Sequence, residues 1–166
     1  MRLVEGIADV TDVDAFVSQL ADIGDEHGVA VQAFDARYVA GRDHLRRAVE
    51  LAVRAHERGD TVARDPAVEI LLYAAGRRQI DRALEMGVGE GKCEAVVVVA
   101  DVAGSGDEEG AADAVGDLFD PAGTLGSGDP DLLADFFGIT AAEWAATDAP
   151  LAALVRERVA LLVVEK

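Results

Sequence analysis

The stretch Glu94–Val102, which reads EAVVVVADV, decides the fold that the sequence predicts. Its four consecutive valines are β-branched and favour a strand, and every residue between Glu94 and Asp101 is apolar. Continuous apolar runs of this length are typical of strands in the interior of a sheet. We therefore predict that this stretch is the central strand of the domain.

On both sides of this strand, the spacing of apolar residues predicts strands and helices that interleave. Alternation predicts strands at Arg2–Ala8 and Val29–Ala36, and a last strand near Val159–Val164 after a helix from about Pro150. Helical spacing, caps and helix-ending glycines predict further helices near residues 11–28, 42–58, 66–75, 79–86, 111–119 and 129–138. We expect residues 1–166 to form one α/β (α+β) domain of two layers, in which a small mixed or antiparallel sheet of about four strands packs with several helices.

The chain is strongly acidic. It has 32 Asp and Glu residues against 15 Lys and Arg residues, which gives a net charge of −17. Only two residues are lysines, the acidic residues are spread along the chain, and alanine and valine are abundant. Because this composition is typical of halophilic proteomes, we interpret the acidity as an adaptation to concentrated salt, which says little about the partner.

One segment departs from this acidity. Residues 37–82 contain ten arginines and seven acidic residues, a net charge of +3, whereas residues 1–36 and 83–166 carry −7 and −13. Pairing at i,i+4 along a helix, such as Glu50 with Arg54, explains some of these arginines but not their excess. The basic segment is therefore the candidate functional region.

The candidate site lies towards the end of this segment, in Arg64, Arg77, Arg78, Gln79 and Ile80. An almost wholly apolar helix is interrupted by a glycine, and the sequence RRQ follows at once. Backbone N–H groups at the start of the next helix and the neighbouring guanidinium groups suit a phosphate, while glutamine suits the edge of a base and isoleucine its face. The set suits a single-stranded nucleotide end, although pairing of the arginines with nearby carboxylates explains them equally well.

Two glycine-rich stretches resemble nucleotide-binding loops, and both fail in detail. The stretch Val88–Val96 lacks the spacing of a P-loop, and it follows a helix and leads into a strand, which is the wrong order. The glycines of residues 104–110 lead into a helix that begins with three carboxylates, which repel a pyrophosphate. Neither stretch therefore indicates a nucleotide cofactor.

The remaining residues indicate neither catalysis nor a metal site. None of the three histidines has a cysteine or histidine partner at metal-ligand spacing, and His56 is expected in the core because it lies on the apolar stripe of its helix. Cys93 is the only cysteine, which fits a reducing compartment. No apolar run approaches the roughly 18 residues that a membrane span needs, and residues 1–10 lack the apolar core of a signal peptide. We expect a cytoplasmic protein that is not an enzyme and uses no cofactor, metal or membrane.

A family resemblance adds to this interpretation. Glu69, Leu71 and Leu72 form a Glu-x-Leu-Leu helix, and a Gly-x-Arg-Gln-Ile turn follows at residues 76–80, with Arg77 or Arg78 as its arginine. These residues, the stretches 39–55 and 154–165, and Arg64 before the helix resemble the small regulatory subunit of the KEOPS complex, the TPRKB family. The resemblance covers most of the chain, and the acidity fits a haloarchaeal version.

The resemblance implies a function that the residues alone do not. KEOPS attaches threonylcarbamoyl to the adenosine beside the anticodon of certain tRNAs, and its transferase subunit performs the transfer. The TPRKB-like subunit binds and regulates the small atypical kinase of the complex, which behaves as an ATPase, and it captures the CCA end of the tRNA. By resemblance, Arg64, Arg77, Gln79 and Ile80 lie at the CCA site, and Arg78 is a neighbour. The alternative is a protein-interaction module that regulates the kinase without touching tRNA.

If the acidity is a salt adaptation, the protein should become more stable as KCl rises. Screening shortens the Debye length from about 30 Å at 0.01 M salt to about 3 Å at 1 M, which weakens repulsion among the carboxylates. Thermal melts in a KCl series should show a rising midpoint. A midpoint that stays constant or falls contradicts the halophilic interpretation.

Overall fold

The computed structural model describes residues 1–165, apart from the side chain of Glu165. Its elements, in chain order, are β1 (Arg2–Val10), α1 (Val13–His27), β2 (Ala30–Asp35), α2 (Arg42–Arg58), α3 (Pro66–Ala75), α4 (Ile80–Ala83), β3 (Gly91–Ala100), α5 (Glu108–Gly116), β4 (Asp120–Pro121), α6 (Pro130–Phe136), α7 (Ala141–Ala145) and α8 (Leu151–Glu165). Short 3₁₀ turns follow β2 and α4. Within the described residues, no helix combines the length and the apolar character needed to cross a membrane.

The sheet has the strand order β2-β3-β1-β4, and all of its neighbouring strands are antiparallel. Val98 of β3 lies between Leu3 of β1 and Gln32 of β2. The valine-rich stretch is therefore an interior strand, as the sequence predicts. The α+β class and the four-stranded sheet are confirmed, and β2 forms one open edge of the sheet.

Helices cover both faces of the sheet. Val96, Val98 and Ala100 belong to a core that includes residues of α2, α3 and α8, whereas the alternate residues of β3 pack in a second core with residues of α1 and α5. The domain therefore has three layers, not the two expected from the sequence. The reason is that β3 is apolar on both faces, so each face needs its own cover.

The fourth strand is not the one that the sequence predicts. The segment Val159–Val164 continues α8 as a helix, because Val155, Val159 and Leu162 recur at helical spacing and are buried together in the core. This periodic burial overrides the strand preference of the valines. The edge strand next to β1 is instead the two-residue β4, which pairs with Gly6 and Ile7.

The buried histidine is His44, and the prediction that His56 lies in the core is wrong. His44 is only 1% exposed; its Nε2 donates to the Ala74 carbonyl at 2.8 Å and its Nδ1 accepts from the Ala40 N–H at 3.0 Å. His56 is exposed in the last turn of α2. Burial lowers the pKa of His44 from its usual 6.5 to about 4. A neutral imidazole therefore ties the start of α2 to the end of α3.

Stability should fall as the pH drops from about 6.5 towards 4. In that window the unfolded chain protonates His44 while the folded chain keeps it neutral, which removes about 3 kcal/mol of unfolding free energy. His44→Gln, which does not titrate, should show a shallower loss in urea unfolding between pH 7 and pH 4. His56→Gln is the matched control and should keep the wild-type slope. Equal slopes for wild type and His44→Gln contradict the assignment.

Candidate functional site

The turn after α3 depends on a glycine. Gly76 adopts a left-handed conformation with φ of 61°, and its N–H donates to the Tyr73 carbonyl while the Arg77 N–H donates to that of Leu72. A Cβ at Gly76 would lie 3.0 Å from the carbonyl oxygen of Arg158. The residue is therefore needed both for its backbone conformation and for the close approach of α8. The buried helix stops here, and the arginines emerge directly from its end.

Arg77, the first of the two arginines, turns inward. Its guanidinium carbon lies 4.7 Å from the centre of the Phe136 ring, and its Nη2 donates to the Phe136 carbonyl at the end of α6. Its Nε is buried without a hydrogen-bond partner among the described residues. Arg77 therefore joins the turn to α6 through a cation–π contact and a hydrogen bond to a backbone carbonyl.

The next three residues lie at the surface. Arg78 and Gln79 are exposed, and Gln79 precedes α4 without using its side chain as a cap. Ile80 is 44% exposed and Leu84 is 56% exposed. The helical pattern alone would turn both residues inward, but α4 is a single turn that buries only Ala83. Arg78 and Gln79 are thus two exposed polar residues, and the exposed apolar side chain of Ile80 follows them.

Arg64 lies at the opposite end of α3 from the turn. The helix has ten residues, so it is about 15 Å long. Glu69 is 2% exposed and accepts the N–H groups of Val62 at 3.0 Å and Ala63 at 2.6 Å. This buried carboxylate fixes the loop that carries the exposed Arg64. The five predicted residues therefore form two groups, one at each end of α3.

An open groove of about 770 Å³ runs beside α3, between α1 on one side and the α3–α4 segment on the other. At one end its wall includes Asp65 and Pro66, the residues next to Arg64. At the other end its wall includes Ile80, which follows Arg78 and Gln79, and Leu84. Residues 30–33 of the open-edged strand β2 also line it. Of the five predicted site residues, Ile80 lines the groove, and Arg64 and Gln79 are next in the chain to residues that line it.

The glycine-rich loop after β3 is filled by its own side chains. The Asp101 carboxylate accepts the N–H groups of Gly104 at 2.8 Å and Gly106 at 2.9 Å, and Asp107 accepts that of Gly110 at 2.9 Å. Glu108 accepts the N–H of Asp101 at 2.8 Å. Carboxylates thus occupy the backbone donors that a dinucleotide phosphate would need, which agrees with the sequence-based rejection of such a site.

The other titratable groups with shifted pKa values lie outside the lining of the groove. Burial raises the pKa of the Cys93 thiol, which favours its protonated, unreactive form. Hydrogen bonds from Arg37 to Asp35 raise the pKa of that guanidinium, and burial raises the pKa of Tyr38. No group of three or more potential metal ligands occurs among the described residues.

The groove involves residues that the sequence pattern did not single out. Val17 of α1 is 52% exposed and lines the wall opposite Ile80, yet 62 intervening positions separate the two in the chain. Phe136 meets Arg77 across a separation of 59 residues. No local signal in the sequence reports such contacts. The one available hint was that Val17 belongs to an amphipathic helix.

An apolar groove with charged residues beside its ends is typical of a binding site. The family model described as kinase binding protein CGI-121 matches residues 7–162, so the chain belongs to this family of kinase-binding proteins. No curated protein sequence matches the chain. The family supports the expected resemblance and implies a kinase as partner.

Glu69→Ala should destabilise the protein because it leaves two backbone donors unpaired. The expected loss is about 1–3 kcal/mol for each donor that stays buried, measured by urea unfolding in concentrated KCl. Glu57→Ala is the matched control, because Glu57 is exposed on α2, and it should change stability little. A Glu69→Ala protein as stable as wild type would show that the carboxylate does not hold the Arg64 loop.

Proposed function

We propose that the chain is a non-catalytic subunit of a haloarchaeal KEOPS complex that regulates a small atypical kinase and recruits tRNA through its 3′ CCA end. In this role it supports threonylcarbamoyladenosine modification in the cytoplasm, with the kinase as direct partner and the transferase subunit in the same complex. Membership of the kinase-binding family supports the first half of this proposal. The geometry around α3 supports the second half.

The observation that carries the tRNA proposal is the groove that connects the two ends of α3. Arg64 lies beside one end, and Arg78, Gln79 and Ile80 lie at the other. The intervening helix is about 15 Å long, which suits a short single-stranded tail better than a double helix. A tail laid along α3 would place its phosphates near the exposed arginines and its bases over the groove.

The walls of the groove suit the faces of bases. Val17, Ile80 and Leu84 are exposed apolar side chains that line it. Stacking on aromatic side chains contributes about 1–3 kcal/mol per base, and aliphatic contacts contribute less. In concentrated salt, phosphate contacts lose most of their counterion-release advantage, so these short-range contacts dominate the expected affinity.

In this proposal Arg77 positions its neighbours, whereas the resemblance implies that it lies at the CCA site. Its guanidinium stacks on the Phe136 ring and donates to the Phe136 carbonyl, so in this structure Arg77 stabilises the turn instead of facing a phosphate. We assign it the role of holding Gln79 and Ile80 at the mouth of the groove. Arg64 and Arg78 then face the RNA.

The alternative function is a kinase-regulating interaction module without RNA contact. One observation favours it: the charged residues that line the groove are Asp14, Asp25 and Asp65, which disfavour phosphate inside the groove. Under this alternative, α3 and its turn serve only to contact the kinase. Binding of RNA by the purified protein separates the two proposals.

Ile80→Glu should weaken binding of a CCA-ended tRNA about tenfold or more at high KCl, because it places a charge where a base packs. The measurement is fluorescence anisotropy with labelled tRNA. Leu161→Glu is the control, because Leu161 is 40% exposed and lies on α8 outside the groove. It should leave tRNA affinity unchanged.

Arg64→Glu should also weaken binding of the tRNA, and Arg54→Glu on the outer face of α2 should not. Circular dichroism checks that each variant folds. Wild-type affinity in folded Ile80→Glu and Arg64→Glu proteins contradicts the tRNA site. Absence of tRNA binding by the folded wild-type protein, together with a change in the ATPase rate of the kinase when the protein is added, supports the interaction-only alternative.

A further inference from the structure

The floor of the groove is an open edge of the sheet. β2 pairs with β3 on one side and has no neighbouring strand on the other, and residues 30–33 of β2 line the groove. In an edge strand, every second residue directs its N–H and C=O groups to the unpaired side. The groove therefore offers backbone donors and acceptors in the arrangement that pairs with another extended chain.

The walls of the groove contain most of the large apolar side chains that remain exposed. There are five such side chains in the described chain, and three of them, Val17, Ile80 and Leu84, line the groove. Val17 lies on the α1 wall, and Ile80 lies on the opposite wall. Since the side chains of a strand point alternately to the two faces of its sheet, a strand added beside β2 would direct one set of side chains to each wall. Both sets should therefore be apolar.

The charged residues of the groove are all acidic. Asp14, Asp25 and Asp65 line it, and no arginine, lysine or histidine of the described chain does. Asp14 and Asp25 are exposed on α1 and lie eleven positions apart. This separation is about 16 Å along a helix, which equals about five residues of extended chain. A short apolar strand with a basic residue near each end matches this spacing.

We infer that the open edge of β2 binds an extended segment of a partner protein, which pairs with β2 as a further strand and carries apolar residues flanked by lysine or arginine. The segment and an RNA tail would occupy the same groove, so each would exclude the other. The segment would thus regulate access of the tail. This regulatory consequence rests on the proposed function, whereas binding of the segment does not.

The probe is a fluorescein-labelled peptide, Lys-Val-Ala-Val-Ala-Val-Lys, and the measurement is anisotropy at high KCl. A peptide with proline at the central position should bind about tenfold more weakly or worse, because proline lacks the N–H group and does not fit a paired strand. A peptide with glutamate at both ends should bind about threefold more weakly or worse, because its charges repel the carboxylates of the groove. Equal binding of all three peptides, or binding of none, would overturn the inference.

Hydrogen exchange measured by NMR tests whether the peptide forms a strand. Bound peptide should slow the exchange of alternate amides between Ala30 and Phe34, because only every second N–H of β2 faces the added chain. A peptide that merely packs against the walls would not produce this alternation. Peptide binding without slower exchange at alternate amides would overturn the added strand.

Val17→Glu tests the apolar wall. It should weaken binding of the peptide about tenfold or more, because it places a charge where an apolar side chain packs. Leu161→Glu is the control, since Leu161 is comparably exposed but lies on α8 outside the groove, and it should leave peptide affinity unchanged. Wild-type affinity in the Val17→Glu protein would overturn the placement of the peptide.

The double variant Asp14→Asn/Asp25→Asn tests the charge complementarity. It should abolish the preference for lysine over glutamate at the ends of the peptide. The matched control is Asp22→Asn/Glu26→Gln, which changes the net charge equally at exposed positions of α1 outside the groove and should keep the preference. An unchanged preference in the Asp14/Asp25 variant would overturn the assignment of these carboxylates.

Competition separates this inference from the proposed function. An excess of the lysine-flanked peptide should displace labelled CCA-ended RNA from the wild-type protein. Peptide binding without any RNA binding would contradict the proposed function and leave the added strand standing. RNA binding without peptide binding would do the reverse. Simultaneous binding of both would overturn the regulatory consequence.

Discussion

Strand β3 has no polar side chain between Ala95 and Ala100, so water must be kept from both faces of the sheet. α1 and α5 cover one face, and α2, α3 and α8 cover the other. Because covering helices stand on both sides of β2, the open edge of that strand lies at the bottom of a groove. The groove is thus a consequence of burying β3, and its walls are the flanks of helices that are needed for stability.

The same packing determines where the arginines after α3 lie. α3 is buried from Glu69 to Ala75, and its end is fixed by the hydrogen bond from His44 to the Ala74 carbonyl and by the close approach of Gly76 to the backbone of α8. The first residue that can leave the core is Arg77, and it still reaches back to Phe136. Arg78 is the first side chain at the surface. The two arginines of RRQ therefore differ, one being an anchor and the other an exposed cation, which a charge count cannot distinguish.

Local features were predictable from the sequence because their causes are local. The caps of α1 and α3 by Asp12 and Asp65, and their ends at Gly28 and Gly76, follow from side-chain and glycine chemistry within a few residues. The interior position of β3 follows from its composition. The extent of α2 was predictable for the same reason, since its apolar stripe is continuous.

Features that depend on distant partners were not predictable. His56 shares a stripe with the buried Leu45 and Ala52, but it falls in the last turn of α2, where only Ala55 is covered. The valines of α8 favour a strand locally, and only the packing of the helix in the core makes them helical. The candidate site was identified as a set of residues, but its division into two ends of one groove required α1 and β2.

Mapping where RNA touches the protein tests most directly whether the groove beside α3 binds the tail. Amide and methyl NMR spectra of the labelled protein would be recorded while a CCA-ended RNA is added at high KCl. Binding of the tail in the groove predicts shifts at Val17 and Ser18 of α1, at Gln32 of β2, and at Ile80 and Leu84, all of which line the groove. Shifts confined to the outer face of α2, at Arg42, Arg46 and Arg54, would contradict it.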